Sequence, residues 1–201
     1  METIRGRTSL EVDINGLKER LADYHHITLD LGTGDGRYVR TLAREHPGWF
    51  IIGVDSCREN LREHSRAKLP NMLFIIASAQ DLPKELNGLI SHITINFPWG
   101  SLLESLLTGD IRLMGGLASI SRLTASVDLH LNAGAMLEAG TTLEDGSEKI
   151  YSNLIRSGWR VEDPVVMNAN ALRKIPTTWA KRLAFGRDPR AVTLSGYYAR
   201  K

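Results

Sequence analysis

The stretch LDLGTGDGRYV, residues 29–39, crowds three glycines and two acids into eleven positions. An apolar run enters it, Gly32, Gly34 and Gly36 follow at alternate positions, and an amphipathic run leaves it from Arg37. Glycines so spaced make a tight strand-to-helix turn whose backbone can approach a bound molecule closely. The G-x-G-x-G spacing departs from the G-x-G-x-x-G turn that binds dinucleotides. The acids bear on the ligand's charge: Asp30 and Asp35 would repel a pyrophosphate and suit a cationic or hydroxyl-rich molecule. A second apolar run, FIIGVD (50–55), ends on Asp55, where a carboxylate is placed to take both hydroxyls of a ribose. A third, MLFIIA (72–77), leads into ASAQDLP (77–83), whose Ala79, Gln80 and Asp81 can meet an adenine edge. A glycine turn spanning Asp30, Gly32, Thr33 and Gly34, then a ribose acid, then an adenine edge, is the order in which S-adenosylmethionine (SAM) is bound. SAM is therefore the expected cofactor.

The elements that must hold these tips follow from the apolar pattern. Continuous apolar runs recur at 27–31, 50–55, 72–77, 89–97 and 126–133. Helix-compatible segments, YVRTLAREH (38–46) and RENLREHSRAKL (58–69), lie between the early ones. Such alternation predicts a parallel sheet covered on both faces, wound in both directions by right-handed crossovers. Two weaker strands are expected at 161–168 and 191–200. Residues 102–123 read as helical, broken at Thr108-Gly109 and again at Gly115-Gly116. Residues 169–190 read as a long basic connection, a length more often functional than idle. The 201 residues suffice for one well-cored domain, 1–201.

Charge is uneven along the chain. Residues 151–201 carry ten Lys/Arg against three acids, a net of +7, whereas the first 150 residues are at −5. A basic region of that kind either meets a polyanion or forms a solvated tail. Arg58, Arg62 and Arg66 recur every four residues, with Lys68 beyond them, as a basic stripe on the expected helix after Asp55. No apolar stretch is long enough to span a bilayer, and the single Cys57 fits a reducing compartment, so a cytoplasmic protein is expected. The six histidines show no ligand spacing, and no metal is expected. Trp49 and Trp159, beside strand starts, read as packing residues.

DLGTGDGRYV, GVDSCRENL, NFPWGSLL and TTWAKRL together resemble the aminoglycoside-resistance 16S rRNA methyltransferases that act on N1 of adenine 1408. The likeness runs over nearly the whole chain. It implies a class I SAM-dependent methyltransferase, a Rossmann-like α/β fold with a seven-stranded, mostly parallel sheet and an antiparallel last strand. Insertions are expected around the later strands, with 102–123 an auxiliary helical insertion and 169–190 a basic substrate-binding loop. Carried onto this chain, the resemblance places Asp30, Gly32, Asp55, Ala79, Gln80 and Thr177 beside SAM. It makes Trp99 and Trp179 the pair that holds the target base, with Asn96, Phe97 and Pro98 aligning it. The rRNA contacts would come from Arg58, Arg62, Arg66, Lys68, Lys181, Arg182, Arg187 and Arg190. The implied partner is 16S rRNA within the 30S subunit, met by a monomer, and methylation there would confer aminoglycoside resistance. Two other readings are a guanine-N7 tRNA methyltransferase and a non-catalytic SAM-fold RNA-binding protein.

Overall fold

The computed structural model describes residues 1–186 and 188–199. Its centre is β3 (His26–Leu31), where five consecutive residues are buried. A strand so apolar needs neighbours on both edges and cover on both faces. It pairs in parallel with β4 (Trp49–Asp55) on one side and β6 (Ile90–Asn96) on the other. Between β3 and β4 runs α2 (Arg37–Glu45); beyond β4 come the short α3 (Arg58–Leu61) and β5 (Met72–Ile76), parallel to β4. The chain then recrosses to β6, so the winding reverses between β3 and β6. Ligands of open α/β sheets bind at such a switch point, outside the carboxyl ends of the strands.

After β6 come α4 (Gly100–Thr108), α5 (Ile111–Ile120) and the long β7 (Ser121–Asn132), parallel to β6. Then follow α6 (Ala133–Glu138), α7 (Leu143–Arg156), β8 (Trp159–Val161), β9 (Val165–Val166), α8 (Ala169–Lys174), α9 (Thr178–Phe185) and β10 (Ala191–Tyr198). The last strand runs antiparallel to β7 and to β8. These seven strands reproduce the expected sheet. Three more make it ten: the two-residue β9 on β10, and a hairpin of β1 (Glu2–Arg5) and β2 (Thr8–Glu11) paired to β5. One face is covered by α1 (Ile14–Leu21), α4, α5 and α7, the other by α2 and α3. No helix is long and apolar enough to cross a membrane among the described residues.

Several expectations are corrected. Residues 58–69 do not form one helix. The α-helix stops at Leu61 and a 3-10 turn follows at His64–Arg66, where Ser65 Oγ accepts from Gly6 N–H at 2.8 Å. The hairpin thereby takes up the chain that would have continued the helix. Gly115 and Gly116 do not break α5, because Asp110 caps it through the N–H groups of Arg112 and Leu113, and Leu113, Met114, Leu117 and Ile120 are buried. That burial outweighs the roughly 1 kcal/mol each glycine costs a helix. The helical segment ends at Ile120, since 121–123 already belong to β7. The expected strand at 161–168 divides into β8 and β9, and the expected loop at 169–190 is largely the helix pair α8–α9.

Candidate active site

A cleft of about 430 Å³ lies at the carboxyl ends of β3 to β6 and brings together the expected cofactor residues. The glycine turn is pinned to β4, with Gly32 and Thr33 donating to the Val54 carbonyl at 2.8 and 3.1 Å. Gly34 has φ +57° and no atom within 4 Å of where a Cβ would stand, so its backbone faces open space for a ligand. At Gly36, φ +76°, an added Cβ would meet the Phe74 ring at 2.5 Å, which excludes any larger residue. Asp55 holds the turn open: Oδ2 accepts from Gly34 N–H and Oδ1 from Cys57 N–H, both at 2.8 Å. Each carboxylate oxygen retains a lone pair for a ligand hydroxyl.

Asp30 is 2% exposed, and its Oδ1 accepts from Thr94 Oγ1 and Asn96 Nδ2 at 2.8 Å each. Burial lifts its pKa to about 6, against the lowering effect of those hydrogen bonds. Asn96 Oδ1 in turn pairs with His130 Nδ1 at 2.8 Å. Burial drops the His130 pKa to about 4, so its ring is neutral at neutral pH and donates that hydrogen. The chain His130–Asn96–Asp30 thus fixes both amide ends of Asn96 at the lip of the cleft.

The wall beyond β5 is formed by Ala77, Ala79 and Leu102. Gln80 lines it too, but both ends of its amide are engaged. Nε2 donates to Ser105 Oγ at 2.7 Å and to the Ser101 carbonyl at 3.3 Å, and Oε1 accepts from Ser78 Oγ. The residue clamps the 77–82 loop to α4. Among the described residues no lysine or arginine lines the cleft, whereas Asp30, Asp35 and Asp55 do. Such a lining rejects a pyrophosphate and suits a cation carrying a ribose, which SAM is.

Two jaws close over it. Phe97 turns the chain at φ +54°, unusual for a residue with a side chain. It is held there by its N–H on the His130 carbonyl at 2.8 Å and by burial at 4% exposure. Pro98 follows, and Trp99 stands just before α4. The opposite jaw is α9, capped by Thr177 Oγ1, which accepts from Ala180 N–H at 2.9 Å. Thr178 Oγ1 donates to Asp35 Oδ2 at 2.9 Å and so ties this helix to the glycine turn. Phe97 shares one buried cluster with Leu172, Ile175, Ala180 and Leu183, so both jaws rest on the same packing. The Trp99 and Trp179 rings face each other, centroids 5.7 Å apart and 18° from parallel. They are 45% and 43% exposed, and the Arg182 guanidinium lies 5.3 Å from the Trp179 ring centre. A base inserted between them needs roughly 6.8 Å, twice the 3.4 Å stacking repeat of nucleic acid. The pair is therefore shut, and must part by at least about 1 Å to admit one.

The roles of Asp35, Thr178 and His130 escaped sequence reasoning. In sequence Asp35 stands out only by its charge, His130 lies in an apolar strand, and nothing local announces Thr178. Among the expected RNA contacts, Arg58 is bound to Glu2 and Ser9, and Arg62 pairs with Glu59 at 3.0 Å. Arg66 packs its stem against Gly6, so the three arginines do not form one helical stripe. Arg190 is held by Asp188 through two bonds of 2.8 and 2.7 Å. Lys68, Lys181 and Arg182 are exposed, and Arg187 lies outside the described residues. Among the described residues no group of three or more His, Cys, Asp or Glu is placed to hold a metal ion.

A 16S rRNA (adenine(1408)-N(1))-methyltransferase of Escherichia coli is 29% identical, with all of both chains covered. The solved structure of the 16S rRNA methyltransferase KamB superposes with a TM-score of 0.89 at 27% identity, covering 99% of this chain and all of that one. A mutant 16S rRNA (adenine(1408)-N(1))-methyltransferase from Catenulisporales acidiphilia, solved with cosubstrate SAM, has a TM-score of 0.86 over 99% of this chain and 97% of its own. At 22% identity that last likeness speaks to the fold alone. The profile of the NpmA family, described as 16S rRNA (adenine(1408)-N(1))-methyltransferase, matches residues 2–198, and the chain belongs to that family.

Proposed function

We propose that this chain transfers a methyl group from SAM to N1 of adenine 1408 of 16S rRNA, acting as a monomer on 30S subunits in the cytoplasm. Blocking N1 there confers resistance to aminoglycosides that hydrogen-bond to that base. The observation that carries the reading is the facing indole pair of Trp99 and Trp179 at the mouth of an acidic, ribose-ready cleft. SAM, when bound, supplies an electrophilic methyl on a positively charged sulfur. Asp30, Gly32, Thr33 and Gly34 receive its amino-acid end, Asp55 its ribose, and Ala79 and Gln80 its adenine side, while Thr177 closes the cleft from α9.

Adenine N1 carries an in-plane lone pair and no proton at neutral pH, so the protein needs no general base. What it must supply is alignment. Trp99 and Trp179 stack the flipped base from both faces, returning about 1–3 kcal/mol per face against an unstacking cost of a few kcal/mol. The Asn96–Phe97–Pro98 turn, held by His130, sets the height of the lower jaw. We read α8–α9 as the substrate-facing element of a single methyltransferase domain, with α4–α5 as an auxiliary support. Lys68, Lys181 and Arg182 offer exposed charges to rRNA phosphates. Arg58, Arg62 and Arg190 reach RNA only by exchanging an internal carboxylate. Arg66 and Arg187 belong to the same proposed set.

Transfer of labelled methyl from SAM to purified 30S subunits, with primer extension to map the stop, tests the reading. Label at adenine 1408 is expected; label on tRNA and none on 30S would overturn it. Trp99→Ala and Trp179→Ala together are expected to abolish transfer while leaving SAM affinity intact. Full transfer by that double variant would sink the clamp and leave the activity standing.

A further inference from the structure

Behind α9, on the side away from the acidic cleft, a second cavity of about 310 Å³ opens between α2 and α9. Its lining is cationic: Arg37, Arg40 and Arg44 from α2, Lys181 from α9, with His64 and Pro176 beside them. The three arginines stand at i, i+3 and i+7, which puts them on one face of α2. Like charges so spaced repel one another, and a folded protein normally interleaves acids among them. Here, among the described residues, no carboxylate lies within 4.0 Å of any of the four cations. The Arg40 Nε is buried with no hydrogen-bond partner, and its Nη1 has only His64 Nδ1, at 3.3 Å. With Nε closed to solvent, the remaining Arg40 donor joins Arg37, Arg44 and Lys181 as the charges that the cavity offers to an anion.

We propose that this seam is a phosphate site that grips the RNA backbone next to the nucleotide delivered to the tryptophans. The inference rests on the methyltransferase reading and deepens it by naming the part of the substrate held there. Geometry supports it, because α9 borders both cavities and α2 starts from the glycine turn that lines the first. Helix α9 carries Trp179 toward the acidic cleft and Lys181 toward the seam. The bond between Thr178 and Asp35 locks α9 to the turn from which α2 starts. Trp179 and Lys181 stand two residues apart on α9, so a strand whose flipped base enters between the indoles has a neighbouring phosphate within reach of the seam. The two cavities also sort their ligands by charge, a cationic cofactor into the acidic one and a polyanion onto the basic one. Contacts of this kind set register and carry no base sequence.

The test compares the wild-type protein with Arg40→Ala/Arg44→Ala and with the charge-keeping Arg40→Lys/Arg44→Lys. Binding to 30S subunits and to a 20-nucleotide single-stranded RNA of mixed sequence is followed from low to moderate salt. Each lost phosphate contact lowers the slope of log affinity against log salt by about 1, so the alanine pair is expected to flatten it by about 2 on both probes. The lysine pair should restore most of that slope, and SAM affinity should stay at the wild-type value in all three. Coincident slopes for the wild type and the alanine pair overturn the phosphate site, whatever happens to methylation. A flattened slope also stands if wild-type protein fails to methylate 30S subunits; that result removes the assigned substrate and leaves the phosphate site in place. An alanine pair that loses SAM affinity in step with RNA affinity points to collapse of α2 and overturns the inference as well.

Discussion

Replacing Asp30 with asparagine separates what the fold wants at this position from what the cofactor wants. The carboxyl group is buried beneath the glycine turn and its pKa is raised from 3.8 to about 6. The folded state therefore holds the proton to higher pH than the unfolded chain does. Stability is lost as pH rises from about 4 to about 6, and above that the whole penalty is present. A shift of about two units at 1.36 kcal/mol each amounts to about 3 kcal/mol. Asparagine keeps an oxygen to accept from Thr94 and Asn96 and has no charge to bury. Asp30→Asn without cofactor should thus melt above the wild type at pH 7.5, by roughly 6–12 °C for a chain of this size. The gap should close on going down to pH 4. Calorimetry at half-unit pH steps measures it, and SAM titration of the same samples should show much weaker binding by the variant. A difference in melting temperature that stays constant from pH 4 to 7.5 would refute the argument, whatever its sign.

Three other substitutions probe the supports of the cleft. Gly36→Ala forces a Cβ to within 2.5 Å of the Phe74 ring at φ +76°, and a loss of several kcal/mol is expected in urea unfolding. Thr178→Val cuts the tie to Asp35 and should lower kcat/KM for 30S subunits by about tenfold while the SAM Kd changes little. Equal loss in both would mean that α9 serves the cofactor rather than the substrate. Asn153→Ala removes the Nδ2 that donates to the Leu106 and Leu107 carbonyls at 2.8 and 3.1 Å. It should cost about 2 kcal/mol in denaturant unfolding by leaving those acceptors at the end of α4 without their donor.

The middle of the sheet was legible because buried parallel strands are written as unbroken apolar runs. The runs at 27–31, 50–55, 72–77 and 89–97 each fall within a residue of β3 to β6. The amino-terminal hairpin was not legible, since ETIR and TSLE are short and polar, with most of β2 facing outward. Its cue was Gly6, at φ +63° in the turn. The helices of 169–185 were missed for a different reason. Their caps, Asn168 and Thr177, are conventional signals, but the basic composition around them is that of a loop. At the cleft, residues that line it could be picked out by type and position. Those that hold them, Asp35 with Thr178 or Asn96 with His130, pair across 34 to 143 positions, a distance no local pattern encodes.

The contact between Trp99 and Trp179 also matters when no RNA is near. Two large aromatic faces left open at a rim would be a place for idle molecules to stick to one another. Facing each other, the indoles cover part of that surface, and in the proposed clamp they occupy the place of the base with the protein's own atoms. A stray nucleotide must then displace a neighbour worth about 0.5–1.5 kcal/mol before it gains anything. Only a partner that brings energy from elsewhere on its surface opens the pair readily, so the idle enzyme discriminates against small look-alikes without any group dedicated to rejecting them.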